Sequence, residues 1–155
     1  MDAPIPCLWF HGNAEEAVRF YTSVVPGSGI TRIRRMDRET PGRQAGDVLS
    51  VEFTLGGKAH MALNGGPNYS FTPAISLFLL CEDQEEVDRT WDALLDGGTP
   101  VQCGWITDRY GLSWQIVPKG LGKLLEDPEK GDRAMAAMLG QVKIDLAEIE
   151  AACAA

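Results

Sequence analysis

The sequence predicts an α+β domain made of two β-α-β-β-β modules followed by a helical tail. Three observations carry this reading. Residues 13–21, NAEEAVRFY, and 83–91, DQEEVDRTW, share Asn/Asp, Glu-Glu, Ala/Val, Arg and a large aromatic in the same register. Their offset of 70 residues, in a chain of 155, is too long for a solenoid period of about 20–50 residues and fits a duplicated half-domain. Strand-like runs flank both copies in the same order. A duplicated half-domain commonly places its ligand where the halves meet.

Ile5–Phe10 is the first strand candidate, and Asn13 then opens a helix. Asn13 can cap that helix, with Glu16 reaching back to the cap. Asp83 and Glu86 repeat the pair in the second copy. The acidic first turns also suit the positive end of the helix dipole. Ala17, Phe20, Tyr21 and Val24 form one apolar stripe, and Val87, Trp91, Leu94 and Leu95 the other. After the first helix come strands at Ile30–Met36, Val48–Leu55 and Lys58–Asn64, with a turn-rich loop over Arg38–Gly46. Gly65-Gly66-Pro67-Asn68 separates the halves. The second copy runs Ala74–Cys81, helix, Thr99–Cys103, Trp105–Asp108 and Leu112–Pro118. Module one is expected over about 4–65, module two over about 73–118 and the tail over about 119–155, all in a single domain spanning 1–155. Within the tail, Met135, Met138, Leu139, Val142, Leu146 and Ile149 predict one amphipathic helix from about Asp132 to Ala152.

Face matching predicts the register of the third and fourth strands. A three-residue turn over Gly56, Gly57 and Lys58 pairs Leu55 with Ala59 and keeps apolar residues opposite one another. Ser50, Glu52, Thr54, His60 and Asn64 would then share a face away from the helix. A two-residue turn would set Phe53 opposite His60, and the mixed faces argue against it.

The composition limits the partners. Net charge is −8, from 14 basic and 22 acidic residues, which disfavours nucleic acid and anionic membranes. Arg32, Arg34, Arg35 and Arg38 are a local basic run, read as a solvated strand edge and loop. No apolar stretch approaches the ~20 residues of a membrane span, and no secretory signal opens the chain. Cys7, Cys81, Cys103 and Cys153 lack any CxxC or zinc-like spacing. A reduced, cytoplasmic protein is expected.

These residues resemble a known family. Two β-α-β-β-β modules, with CLWFHGNAEEAVRFY, HMALNGGP, AISLF, EDQEEVDRTWDAL and CGWITDRYGLSWQIVP, look like the vicinal-oxygen-chelate superfamily. That group includes glyoxalase I, bleomycin-resistance proteins and extradiol dioxygenases. More narrowly, these segments, above all the last, are similar to the PhnB-like branch, described as 3-demethylubiquinone-9 3-methyltransferase, and the likeness runs from about Ile5 to Ala152. The resemblance implies two modules side by side, whose curved mixed sheet encloses a cleft. In the metal-dependent members, His or Glu ligands come from the first and last strand of each module. The matching positions here are Pro6, Ala62, Ser76 and Gln115, with Leu77 replacing Ser76 if the alignment slips by one. Such side chains make no chelate for a first-row metal. No metal and no cofactor are therefore expected.

The register sets His60 and Glu52 on the cleft face, read as a hydrogen-bonded pair lining a pocket. Phe78 and Ser76 share a face on the fifth strand, Gln115 and Ser113 on the last, and Trp105 can go either way. Trp114 and Trp91 are assigned to the core, and Asp108 to the turn before Gly111. The expected cleft lining is thus His60, Asn64, Ser76, Phe78, Trp105 and Gln115. The leading functional expectation is metal-free binding of a small organic molecule in that cleft, as in bleomycin-resistance proteins. The alternatives are an enzyme using His60 and Glu52, as a base or with a recruited metal, and the methyltransferase that the branch description names. For the latter, Pro26-Gly27-Ser28-Gly29 lies at a helix end and reads as C-terminal punctuation, not a cofactor cradle. A homodimer is expected, with the tail supplying spare apolar surface.

Overall fold

The structure is a computed structural model and describes residues 3–154. The chain forms two compact units, one ending at Ser70 and one beginning at Phe71.

The first unit runs β1 (Cys7–Phe10), α1 (Ala14–Val24), β2 (Gly29–Arg35), β3 (Val48–Leu55) and β4 (Lys58–Asn64). Its sheet has the order β1-β4-β3-β2, with β1 parallel to β4 and the other pairs antiparallel. Ala14, Ala17, Val18 and Tyr21 are buried on α1, and Leu8, Phe10, Val51, Phe53, Leu55 and Ala62 are buried on the strands. Phe10 and Tyr21 meet at 6.4 Å between ring centroids, which identifies the helix-packed face. The basic stretch of β2 is an exposed edge strand, as the sequence suggests.

The β3–β4 register corrects the sequence-based expectation. The turn has two residues, so Leu55 pairs with Lys58, Phe53 with His60 and Val51 with Ala62. Gly56 and Gly57 both take left-handed backbone, at φ +53° and +79°, which suits a twisted two-residue hairpin. Polarity misleads here because both polar residues on the inner face are satisfied. His60 stacks on Phe53 at 5.4 Å, and its Nδ1 lies 2.9 Å from the Lys58 carbonyl. Asn64 accepts from the Ala14 amide at 3.0 Å and donates to the Val48 carbonyl at 2.9 Å. A buried polar group with its bonds made costs little.

The second unit runs β5 (Ser76–Cys81), α2 (Gln84–Leu95), β6 (Thr99–Pro100), β7 (Trp105–Thr107) and β8 (Ser113–Pro118). It continues through α3 (Lys119–Leu125), α4 (Gly131–Leu139) and α5 (Leu146–Ala154). The sheet order β5-β8-β7-β6 repeats that of the first unit, with β5 parallel to β8. Val87, Thr90, Trp91 and Leu94 are buried on α2. Here Asp83 caps as expected, while Glu86 reaches one residue past the cap. The Asp83 carboxylate accepts from the Glu86 amide at 2.9 Å, and Glu86 accepts from the Glu82 amide at 2.7 Å. Asp108 is buried and structural, accepting from the amides of Tyr110 (2.8 Å) and Leu112 (3.0 Å) and from the Trp114 indole (2.8 Å). Burial pushes the Cys81 thiol up to about 11, so it packs as a small hydrophobe.

The tail is the second correction. Two short helices, α4 and α5, replace the single amphipathic one, and Met135, Leu139 and Val142 from the predicted stripe are exposed. Leu121, Ala134, Ile144, Ile149 and Cys153 make the core instead. The break between α4 and α5 lets Ile144 turn inward. Gln84 fixes it there, donating to the Ile144 carbonyl at 2.9 Å and accepting from the Leu146 amide at 3.1 Å.

Candidate functional site

Each sheet has one face packed by its helix and one face free of it. Strand alternation assigns every side chain to one or the other. In the second unit, Leu77, Leu79 and Cys81 pair with Trp114, Ile116 and Pro118 on the α2 side. Ser76, Phe78 and Leu80 pair with Ser113, Gln115 and Val117 on the other. Trp105 lies opposite Gln115 on β7, which settles its face. Ser76, Phe78, Trp105 and Gln115 therefore come together on one face.

That face combines apolar surface with one oriented amide. Phe78 is 56% and Leu80 51% exposed. Gln115 donates from Nε2 to Ser76 Oγ at 2.9 Å, which orients the amide and leaves its carbonyl oxygen to accept from another donor. Phe78 lies opposite Gln115 across the β5–β8 pair. Aromatic walls beside a few fixed polar groups are the usual lining of small-molecule sites.

In the first unit, the structure separates the residues expected together. His60 and Asn64 lie on the α1 side, at 8% and 6% exposure, and do not line the helix-free face. Glu52 pairs opposite Met61, on the reverse face from His60, and sits 3.9 Å from Arg32. The His60–Glu52 base, with or without a recruited metal, is thereby overturned, because a sheet stands between the two side chains. Ala62, the position that the resemblance assigns to a ligand, is fully buried on the α1 side. Pro6 precedes β1 and contributes its carbonyl to the Met61 amide at 2.9 Å.

The residues that do occupy the helix-free face are Cys7 and Trp9 on β1 and Met61 and Leu63 on β4. Trp9 donates its indole N–H to the Gly66 carbonyl at 2.9 Å and meets Tyr69 edge-on at 4.9 Å. Sequence reasoning missed Trp9 and Tyr69. The alternation in CLWF, with Leu8 and Phe10 facing inward, was the signal that would have found Trp9. The divalent-metal centre of the metal-dependent relatives does not fit this chain. At the positions that the resemblance assigns to ligands, Pro6, Ala62, Ser76 and Gln115, the chain offers at most a hydroxyl and an amide.

Comparisons with known proteins agree on one family. The model of a family described as 3-demethylubiquinone-9 3-methyltransferase matches residues 2–117. A solved structure described as a putative 3-demethylubiquinone-9 3-methyltransferase, PhnB protein, from Bacillus cereus is 36% identical. That match covers 76% of this chain and 99% of the other, with a TM-score of 0.70. Protein PA1353 from Pseudomonas aeruginosa has the same fold at 23% identity, covering 76% of this chain and 98% of its own, with a TM-score of 0.58. None of the curated proteins matches.

Proposed function

We propose that this chain, which belongs to the 3-demethylubiquinone-9 3-methyltransferase family of PhnB-like proteins, binds a small organic molecule without a resident metal. One observation carries the reading. Phe78, Trp105 and the Gln115–Ser76 pair share the helix-free face of the second sheet, where large apolar side chains stay open beside a fixed amide. Covering an exposed Phe and Leu releases their water at about 25 cal/mol per Å². The amide selects a partner with a matching donor. Ser76, Phe78, Trp105 and Gln115 are the binding residues of this proposal.

Methyl transfer, the activity in the family's description, draws no support from the fold around the glycines. Gly27, at φ +69°, follows the end of α1, where the Val25 amide closes the helix onto the Tyr21 carbonyl. A phosphate- or cofactor-cradling turn would precede a helix, where unpaired amides point outward. We propose further that two copies pair through the tail, whose Met135, Leu139 and Val142 are exposed. Light scattering at the mass of one chain would remove that element.

The test is a thermal-shift screen of small organic molecules on protein purified without chelators, with metal analysis of the same sample. Stabilising compounds should be weakened about tenfold or more by Phe78→Ala and by Gln115→Ala. Stoichiometric bound metal would sink the metal-free reading. Stabilisation by S-adenosylmethionine would restore the methyltransferase.

A further inference from the structure

We propose that the first unit carries a second site, a groove that takes the oxyanion end of a small organic acid. The groove encloses about 900 Å³ and lies wholly within that unit. It forms where the start of α1, the β2–β3 loop and the chain leaving β4 converge. That volume is of the size that holds a metabolite rather than a bare ion.

Three arginines line it, and they are not equivalent. Arg19 and Arg35 both spend their charge on Glu15, at 2.7 and 3.2 Å. The hydrogen bond from Arg19 is the main reason the Glu15 carboxyl is held below its ordinary range. Arg43 differs. It is half-buried, donates to the Asn64 backbone carbonyl, and makes no ion pair with any described residue. A carbonyl satisfies one N–H of a guanidinium that has five, and leaves the charge uncompensated. Partial burial makes such a charge more costly than in water. A carboxylate or phosphate in the groove supplies the partner that the chain itself withholds, in the two-point geometry that guanidinium favours.

The position of Arg43 is built rather than incidental. Thr40 and Arg43 exchange backbone hydrogen bonds at 3.0 Å in both directions, closing a turn over Pro41 and Gly42. Proline presets its own φ, and Gly42 takes the left-handed φ of +79° that the next position needs. The loop base is tied by Met36 donating to Asp47 at 2.8 Å, and by Arg35 donating to the Gly46 carbonyl at 3.2 Å. Glu16 and Asp47 on the groove wall repel extended polyanions. The ligand class is therefore a molecule with one anionic group and an otherwise uncharged body.

The test is an amide NMR titration of the full chain with lactate, as a carboxylate, and with glycerol 2-phosphate, as a phosphate monoester. Sodium chloride at matched ionic strength is the reference. Saturable shifts at Gly42, Arg43 and Asn13 are expected with one or both acids, and which acid saturates names the oxyanion. Arg43→Gln should weaken binding about tenfold, while Arg32→Gln on the exposed strand should not. Arg43→Lys keeps the charge and separates charge from loop integrity. It should bind with intermediate affinity while the loop amides hold their native positions. Shifts that fail to saturate, or that chloride reproduces, would overturn the proposal. So would equal affinity in native protein and Arg43→Gln.

Discussion

The two modules follow one plan, but different buried polar residues hold them together. In the first, Asn64 on β4 caps α1 from the sheet and ties β3 through its other amide atom. Asn13, the residue that the repeat nominates as cap, makes no side-chain cap bond. In the second, Asp83 and Glu86 cap α2 from within the helix's own sequence. The polar centre there is Asp108, which gathers two amides and the Trp114 indole in one turn. Matching sequence thus conceals a difference in mechanism. Module one fixes its helix by a contact 50 residues away, and module two by contacts within four.

Substitution can break this comparison at its strongest point first. Asp108→Ala removes the carboxylate that accepts from two amides and the Trp114 indole, and should cost about 4 kcal/mol in urea denaturation. A loss under about 1 kcal/mol would show that water replaces the carboxylate. Asn64→Ala removes the α1 cap and a β3 tie, with an expected cost of about 2–3 kcal/mol. Hydrogen exchange at Ala14 and its neighbours should rise in that variant while α2 stays protected. The smallest effects make the sharpest contrast. Asp83→Ala should cost about 1 kcal/mol, but Asn13→Ala less than about 0.3, although the two positions align. Equal losses at both would mean that Asn13 caps α1 in solution and that the asymmetry is wrong.

Much of the architecture was legible because it rests on local signals. Strand alternation, the start of α2 and the Asp108–Gly111 turn are each set by residues within a few positions of one another. The face shared by Ser76, Phe78 and Gln115 followed from the same period-two argument, and Trp114 was rightly assigned to the core. The β3–β4 register was not legible, because polarity was the only guide. His60 and Asn64 look like outward residues until their partners are known. Trp105 stayed open because a three-residue strand carries too little pattern to fix its face.

The sequence by itself determined the duplicated β-α-β-β-β plan and the family, since both depend on residue identity and short-range order. Only the tertiary structure decided which polar residues are buried, how the tail breaks, and that Arg43 meets the Asn64 carbonyl. The physical reason is the same in each case. Whether a polar or charged group belongs inside depends on partners that the chain brings near only by folding.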